Sequence, residues 1–300
     1  MPEVSVIIPA HNAAQYLADA VDSVLGQSFQ DFEILVIDDG STDDTEAVMR
    51  SYRSKVRFFS QQNSGVAVTR NRGIERALGR YIAFLDADDT WAPNKLERQM
   101  AAMADHKDYR ICYSAFTVTG PDLAPISVSR SQRQAHALED LLLRGNVVAT
   151  PTTVMGERAL FVAVGGFDPA LSQCADWDMW VRLAALTDFL YIDEPLAFYR
   201  QHGSNMSRNA PLLEQDSFRV LEKGFAMDGV REQLRARRRY ALARNYMVVA
   251  GTHFQAGNYR DFARCAARSV MMDFRQTAYL MNFPVRRLAR LFSHDTAEIV

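Results

Sequence analysis

Short, unbroken apolar runs alternate with segments of helical periodicity over residues 4–85. Val4-Ser5-Val6-Ile7-Ile8, closed by Pro9, reads as a strand buried on both faces, since a half-exposed strand would alternate apolar and polar positions. Ala14, Leu17, Ala18, Val21, Val24 and Leu25 then recur at helical spacing and stop at Gly26. Glu33-Ile34-Leu35-Val36-Ile37 is the next strand. A helix through Arg53 follows, with Asp43 as its expected N-cap and Glu46 completing a capping box. A strand at Val56–Ser60, a helix around Val66–Leu78 and a strand at Tyr81–Leu85 complete the series.

Strand–helix–strand repetition with short links predicts an α/β fold whose parallel sheet has right-handed crossovers. Ligands of such sheets bind outside the carboxyl ends of the strands. The polar clusters fall at those ends: Ala10-His11-Asn12, Asp38-Asp39-Gly40-Ser41 and Asp86-Ala87-Asp88-Asp89. Further strands are expected at Arg110–Val118 and Thr152–Met155, with a loop over Gly120–Gln134 between them. From Leu213 the pattern is helical, and a Gly257-Asn258 turn joins two helices into one hairpin. A domain over residues 1–210 and a helical region over 211–300 are the expected division.

Composition fits a folded chain: 48% hydrophobic residues supply a large core. Cys112, Cys174 and Cys265 lie far apart without a CxxC pair, which suggests a reducing compartment and neither a disulfide framework nor a zinc site. The N-terminus lacks a signal-peptide pattern, and no run of about 18 uncharged apolar residues occurs. A soluble cytoplasmic protein is expected. The net charge of −2 conceals a basic tail, for residues 231–300 hold 13 arginines and no lysine against five acids. Such a tail suits either a solvated helical face or peripheral contact with the inner face of the cell membrane. Pro284 opens an amphipathic pattern, with Val285, Leu288, Ala289 and Phe292 on one side and Arg286, Arg287 and Arg290 on the other, as in an interfacial helix.

Asp86-Ala87-Asp88 follows an apolar strand, and two carboxylates so placed can hold a hard divalent cation and a ribose hydroxyl. Alone, such a pair reads more readily as a turn whose aspartates cap the next helix. Its company changes that reading. Val4–Asn12, Ile37–Asp43, Arg70-Asn71-Arg72-Gly73, Leu85–Asp89, Gly165-Gly166-Phe167-Asp168, Asp176–Trp180 and Tyr199-Arg200-Gln201-His202 together, in this order, resemble the family 2 glycosyltransferases of the GT-A fold over roughly residues 4–205.

That resemblance implies a fold and a set of roles. The fold would be a Rossmann-like, mostly parallel sheet flanked by helices, with a C-terminal helical appendage. Pro9, Ala10, His11 and Asn12 would line the nucleotide base, and Asp39 would accept a hydrogen bond from the imide of uracil or thymine. Arg70 would lie near base and phosphates. Asp86, with Ala87, would meet the ribose, Asp88 would ligate Mn2+ or Mg2+, and His202 would complete the metal shell.

Asp176 would take the proton from the acceptor hydroxyl, with Asp178 as the fallback. At a helix N-terminus its ionised form is favoured and its pKa depressed. The sequence departs from the family where Ala175 replaces the usual glutamate. Trp177 and Trp180 could offer a platform for an acceptor ring or belong to the core.

The activity so implied is inverting transfer of a sugar from a UDP- or dTDP-sugar to a hydroxyl in polysaccharide or glycolipid assembly, with no nucleic-acid partner. A non-catalytic nucleotide-sugar-binding subunit is the alternative. A glycoside hydrolase would leave the nucleotide-type turns unexplained. A dinucleotide oxidoreductase would need the G-x-G-x-x-G that does not follow the first strand.

Overall fold

The computed structural model describes residues 1–131, 136–203 and 209–281. Strand β1 (Val4–Ala10) is buried at every position, because both faces of the sheet are covered. Ile7 packs into one apolar core. Its neighbours Val6 and Ile8 point the other way, into a second core that contains Leu17 and Val21. β2 (Phe32–Asp38), β3 (Arg57–Ser60) and β4 (Tyr81–Phe84) run parallel to β1 in the order β3-β2-β1-β4. Helices α1 (Leu17–Leu25), α2 (Thr45–Arg50) and α3 (Val66–Arg76) supply the crossovers. A Cβ at Gly73 of α3 would sit 2.4 Å from Ile7 Cγ2, so the helix reaches its depth on the sheet only with glycine there.

The second half of the sheet is mixed. After β5 (Thr90–Trp91) and α4 (Lys95–Asp105) come β6 (Ile111–Thr119), β7 (Pro125–Ser129), α5 (Ala137–Arg144), β8 (Val154–Glu157), α6 (Arg158–Ala163), α7 (Ala175–Ala184) and β9 (Leu190–Arg200). β8 lies antiparallel between β4 and β6, and β9 runs parallel to β6. β8 starts on the edge where β6 ends, which is why it runs back through the sheet. The expected mostly parallel arrangement therefore holds from β3 to β4, and the sheet beyond them is mixed. β7 occupies part of the stretch read as a loop; its alternating exposure marks it as a peripheral strand. With β6 and β9 both parallel to β4 in direction, six strands end on one edge.

Two local expectations need correction. Helix α2 ends at Arg50 rather than Arg53. Asp43 and Glu46 form no capping box: Asp43 accepts from Thr45 N at 3.0 Å and Ala14 N at 3.1 Å, tying the turn after β2 to the turn after β1.

Helices α8 (Ala210–Ala226), α9 (Glu232–Ala236), α10 (Arg238–Gln255), α11 (Tyr259–Met272) and α12 (Gln276–Met281) follow. Val220, Leu221 and Phe225 of α8 share the core of Trp180, so the helical region is packed onto the sheet domain. α10 and α11 form the expected hairpin, turned by Gly257 at φ +77°. The amphipathic pattern from Pro284 lies outside the described residues.

Candidate functional site

The turns after β1 and β2 are stitched into one surface at the carboxyl edge. Asn12, at φ +49°, accepts from Thr42 N at 2.8 Å and donates its own N–H to Ser41 Oγ at 2.8 Å. His11 Nδ1 lies 2.9 Å from the Asp39 carbonyl. Pro9 and Ala10 are buried within β1, so the turn presents backbone and the exposed His11 and Asn12. Asp39 is buried and accepts three hydrogen bonds: from Gln61 Nε2 at 2.7 Å, Ser64 N at 2.9 Å and Gly65 N at 2.8 Å. Those bonds fix the loop entering α3 and leave its carboxylate about one lone pair for anything else.

Asp86, Ala87 and Asp88 leave β4 on the same edge. Arg70 of α3, buried over the Phe167 ring, binds Asp86 at 2.5 Å. His202 Nε2, beyond the end of β9, lies 2.9 Å from Asp88 Oδ2. Burial, and secondarily the charge of Asp86, raise the Asp88 pKa above the ordinary carboxylate range, against the opposing effect of His202. Beneath them, buried Asp89 accepts from Thr152 Oγ1 at 2.5 Å and Arg200 N at 2.9 Å. It does not cap the following helix.

Arg200 is 3% exposed and holds three chain segments at once. It donates to the Asp88 carbonyl at 2.8 Å, the Pro121 carbonyl at 2.7 Å and Asp19 at 2.8 Å. Tyr16 lies under its guanidinium and beside the His202 ring.

Asp176 sits in the first turn of α7, at its second residue rather than at the N-cap, which is Cys174. Its carboxylate accepts from Asn146 Nδ2 at 2.9 Å and from Trp177 N at 2.8 Å. Contrary to the depressed pKa expected at a helix start, burial pushes Asp176 up to about 6, with Asp86 adding to the rise. Arg70 and the two hydrogen bonds pull in the opposite direction. Arg70 thus acts electrostatically on both Asp86 and Asp176, and the two carboxylates sense one another. Ala175 is buried in the core, so the departure from the family's glutamate falls at a packing position.

Asp178, the fallback base, is buried and bridged to Arg182 at 2.7 Å and Lys223 at 2.5 Å, a structural arrangement. Trp180 is fully buried and offers no platform. Trp177 is buried too, its Nε1 donating to the Leu141 carbonyl at 3.1 Å.

Asp88 and His202 suit a hard divalent cation. A cation would stabilise the ionised form of a carboxylate crowded by burial and a second acid, and an imidazole nitrogen faces that carboxylate. Among the described residues, one trio (Glu214, His253 and Cys265) brings potential ligand atoms within 4.8 Å of one another. Arg264 already binds both Glu214 oxygens, at 2.8 and 2.7 Å, so that trio is a satisfied ion-pair cluster.

The sequence reading missed Asn146, Thr152 and Asn71. Asn146 lies in a loop without periodicity, and Thr152, read as the start of a strand, lies in the short 3-10 turn Pro151–Thr153 before β8. Asn71 was within a quoted motif, yet its bonds to Phe167 N and O, at 2.7 and 2.8 Å, join that motif to the Gly-Gly-Phe-Asp turn 96 positions away.

The Glycosyl transferase family 2 model matches residues 5–164. TuaG of Bacillus subtilis, a glycosyltransferase provisionally assigned to teichuronic acid biosynthesis, is 36% identical over 216 residues, which cover 69% of this chain and 82% of TuaG. An uncharacterised glycosyltransferase of Rickettsia typhi is 30% identical over 228 residues, 75% of this chain and 71% of that protein.

Two solved structures share the fold. The mannosyltransferase PcManGT of Pyrobaculum calidifontis, in complex with GDP-Man and Mn2+, has a TM-score of 0.59 at 18% identity, covering 98% of this chain and 84% of that one. TarS 1–349 of S. aureus, in complex with UDP-GlcNAc, has a TM-score of 0.57 at 17% identity and covers 92% of each chain.

Proposed function

This chain belongs to glycosyl transferase family 2, and on that premise we propose that it is an inverting transferase moving a sugar from a nucleoside-diphosphate donor to an acceptor hydroxyl in polysaccharide or glycolipid assembly. The observation that carries the reading is the continuity of charge along one edge: His202 to Asp88, Asp88 beside Asp86, Asp86 to Arg70, and Arg70 acting on Asp176. Donor diphosphate and acceptor hydroxyl would need to meet along such a line.

The turns bearing Pro9, Ala10, His11, Asn12 and Asp39 would hold the base, with uridine or thymidine favoured by an imide facing the remaining lone pair of Asp39. The two fold neighbours are complexed with donors of different base, UDP-GlcNAc and GDP-Man, so the choice of base is part of this proposal. Asp86 and Ala87 would bind the ribose, and Arg70 the phosphate side of the donor. Asp88 and His202 would hold Mn2+ or Mg2+, which when bound neutralises charge on the departing diphosphate. Asp176 would accept the hydroxyl proton as the acceptor oxygen bonds to the anomeric carbon, while the bond from that carbon to the diphosphate oxygen breaks. Asn146 would aim the Asp176 carboxylate.

In this reading residues 1–210 form the catalytic unit and 211–300 a helical appendage. No helix of the described residues is long and apolar enough to cross a membrane. A cytoplasmic enzyme touching the inner membrane face through the appendage is supported by exposed Met271, Phe274 and Met281, with Arg239 donating to the Met271 and Met272 carbonyls and Arg275 next to Phe274 in the chain. A thermal-shift screen of nucleotide sugars, with and without manganese, tests the donor assignment. Metal-dependent stabilisation by a uridine or thymidine diphosphate compound is expected; none with any nucleotide would overturn it. Slow donor hydrolysis without acceptor separates an enzyme from a binding subunit.

A further inference from the structure

Asp176 has a second neighbourhood, away from the donor turns. It lies on the wall of a groove of about 450 Å3, within the ordinary size of ligand sites. One side of the groove is formed by Phe116 of β6 and Tyr199 of β9, whose rings stand 6.0 Å apart. The opposite side is α10, which presents Asn245, Val248 and Thr252 at intervals of three and four residues, a single helix face. Asn146 completes the end at which Asp176 sits.

The lining is mostly apolar, with Phe116 and Tyr199 among aliphatic side chains, and the polar groups of Asp176, Asn146, Asn245 and Thr252 are set into it. Such a surface matches a sugar ring with its apolar C–H face and polar rim. Asn245 Nδ2 already donates to Ser217 Oγ at 3.0 Å, whereas an acyl chain in the same place would give Asn146 Oδ1 no hydrogen bond. Asn146 adds a specific signal. Its Nδ2 is committed to Asp176, while its buried Oδ1 has no hydrogen-bond partner. Turning the amide over would set Oδ1 against the carboxylate, so an acceptor atom stays beside Asp176, suited to a second hydroxyl of the molecule that Asp176 deprotonates.

We propose that this groove receives the end of a glycan acceptor, its attacking hydroxyl at Asp176 and its preceding ring between Tyr199 and α10. Acceptor choice is then set by the C-terminal helices, through Asn245, Val248 and Thr252, rather than by the sheet domain alone. The inference rests on the transferase reading of Asp176. It gives the helical region a task in the reaction, since α10 forms the far wall.

The test uses the full chain with manganese and UDP on a printed glycan array, followed by calorimetry on any glycan bound, with decyl phosphate as the lipid probe. Val248→Trp fills the groove from a position that is already 37% exposed, and Thr252→Trp does so one turn on. For each variant the UDP–manganese melting shift reports whether the donor side is folded. The expected result is glycan binding that weakens at least about tenfold in a variant that keeps the shift. Glycan binding untouched by both substitutions, no glycan bound by a wild-type chain that shows the shift, or decyl phosphate displaced by Val248→Trp would each overturn the proposal. Absence of the shift from the wild-type chain would instead sink the donor reading.

Discussion

His202 Nε2 and Asp88 Oδ2 lie 2.9 Å apart although 114 positions separate them in the chain. β4 and β9 end on the same edge of the sheet, and Arg200, two residues before the histidine, donates to the carbonyl of Asp88. The pair is thus set by backbone architecture before any cation arrives.

The metal role proposed for that pair predicts metal dependence. Manganese is expected to be required for stabilisation by the nucleotide, and EDTA to remove it. Asp88→Ala should abolish the metal-dependent melting shift. His202→Gln should weaken apparent metal affinity by about tenfold or more, because one of two protein ligands is lost. Unchanged manganese titrations in both variants would remove these residues from the metal site.

Asp176 gives a prediction with opposite signs for activity and stability. A base must be ionised, so transfer should fall on the acid side of about pH 6. Asp176→Asn should bind donor and lose turnover. Because the folded-state pKa is raised, the folded chain favours the protonated carboxyl, and stability from that proton is present at low pH and lost as pH rises through about 6. The neutral asparagine escapes this loss. Its melting temperature should exceed that of the wild type by roughly 2–5 °C at pH 8, with the gap closing toward pH 4. Normal turnover by the variant would refute the base assignment.

Arg200 should matter more to the site than its distance from any reacting atom suggests. Arg200→Lys keeps the charge but cannot span the Asp88 and Pro121 carbonyls and Asp19 together. A loss of about 2–4 kcal/mol in urea unfolding is expected, with a higher manganese requirement. An unaltered requirement would show that the Asp88 turn holds itself.

The exposed apolar residues of the last described helices predict salt-sensitive lipid binding. The chain should sediment with vesicles containing phosphatidylglycerol at low salt and be released at about 0.5 M salt. Phe274→Glu should reduce the bound fraction at least severalfold. Equal sedimentation with neutral vesicles would deny the role of the arginines.

Much of this was legible in the chain because it depends on local order. Continuous apolar runs require strands covered on both faces, and helical periodicity between them requires crossovers. Right-handed crossovers put the turns at 10–12, 38–41 and 86–89 on one edge. The motifs could be read as a set because each is a short contiguous segment, and the sheet domain's family is carried by those segments alone. The Gly257-Asn258 hairpin was legible for the same reason.

The tertiary structure decided what contiguity cannot carry. The motif ranks Asp176 above Asp178 only by resemblance; the fold shows that one meets Asn146 in the groove and the other Arg182 and Lys223 in the core. The rise of the Asp176 pKa comes from burial beneath elements distant in sequence and outweighs the helix start that argued for a fall. The antiparallel β8 was hidden because strand direction is a property of the path between strands, not of the strand's own residues. The groove along α10 exists only where the helical region meets the sheet. Short-range pattern fixes elements and their faces; pKa, pairing and cavities depend on groups that only the folded chain brings together.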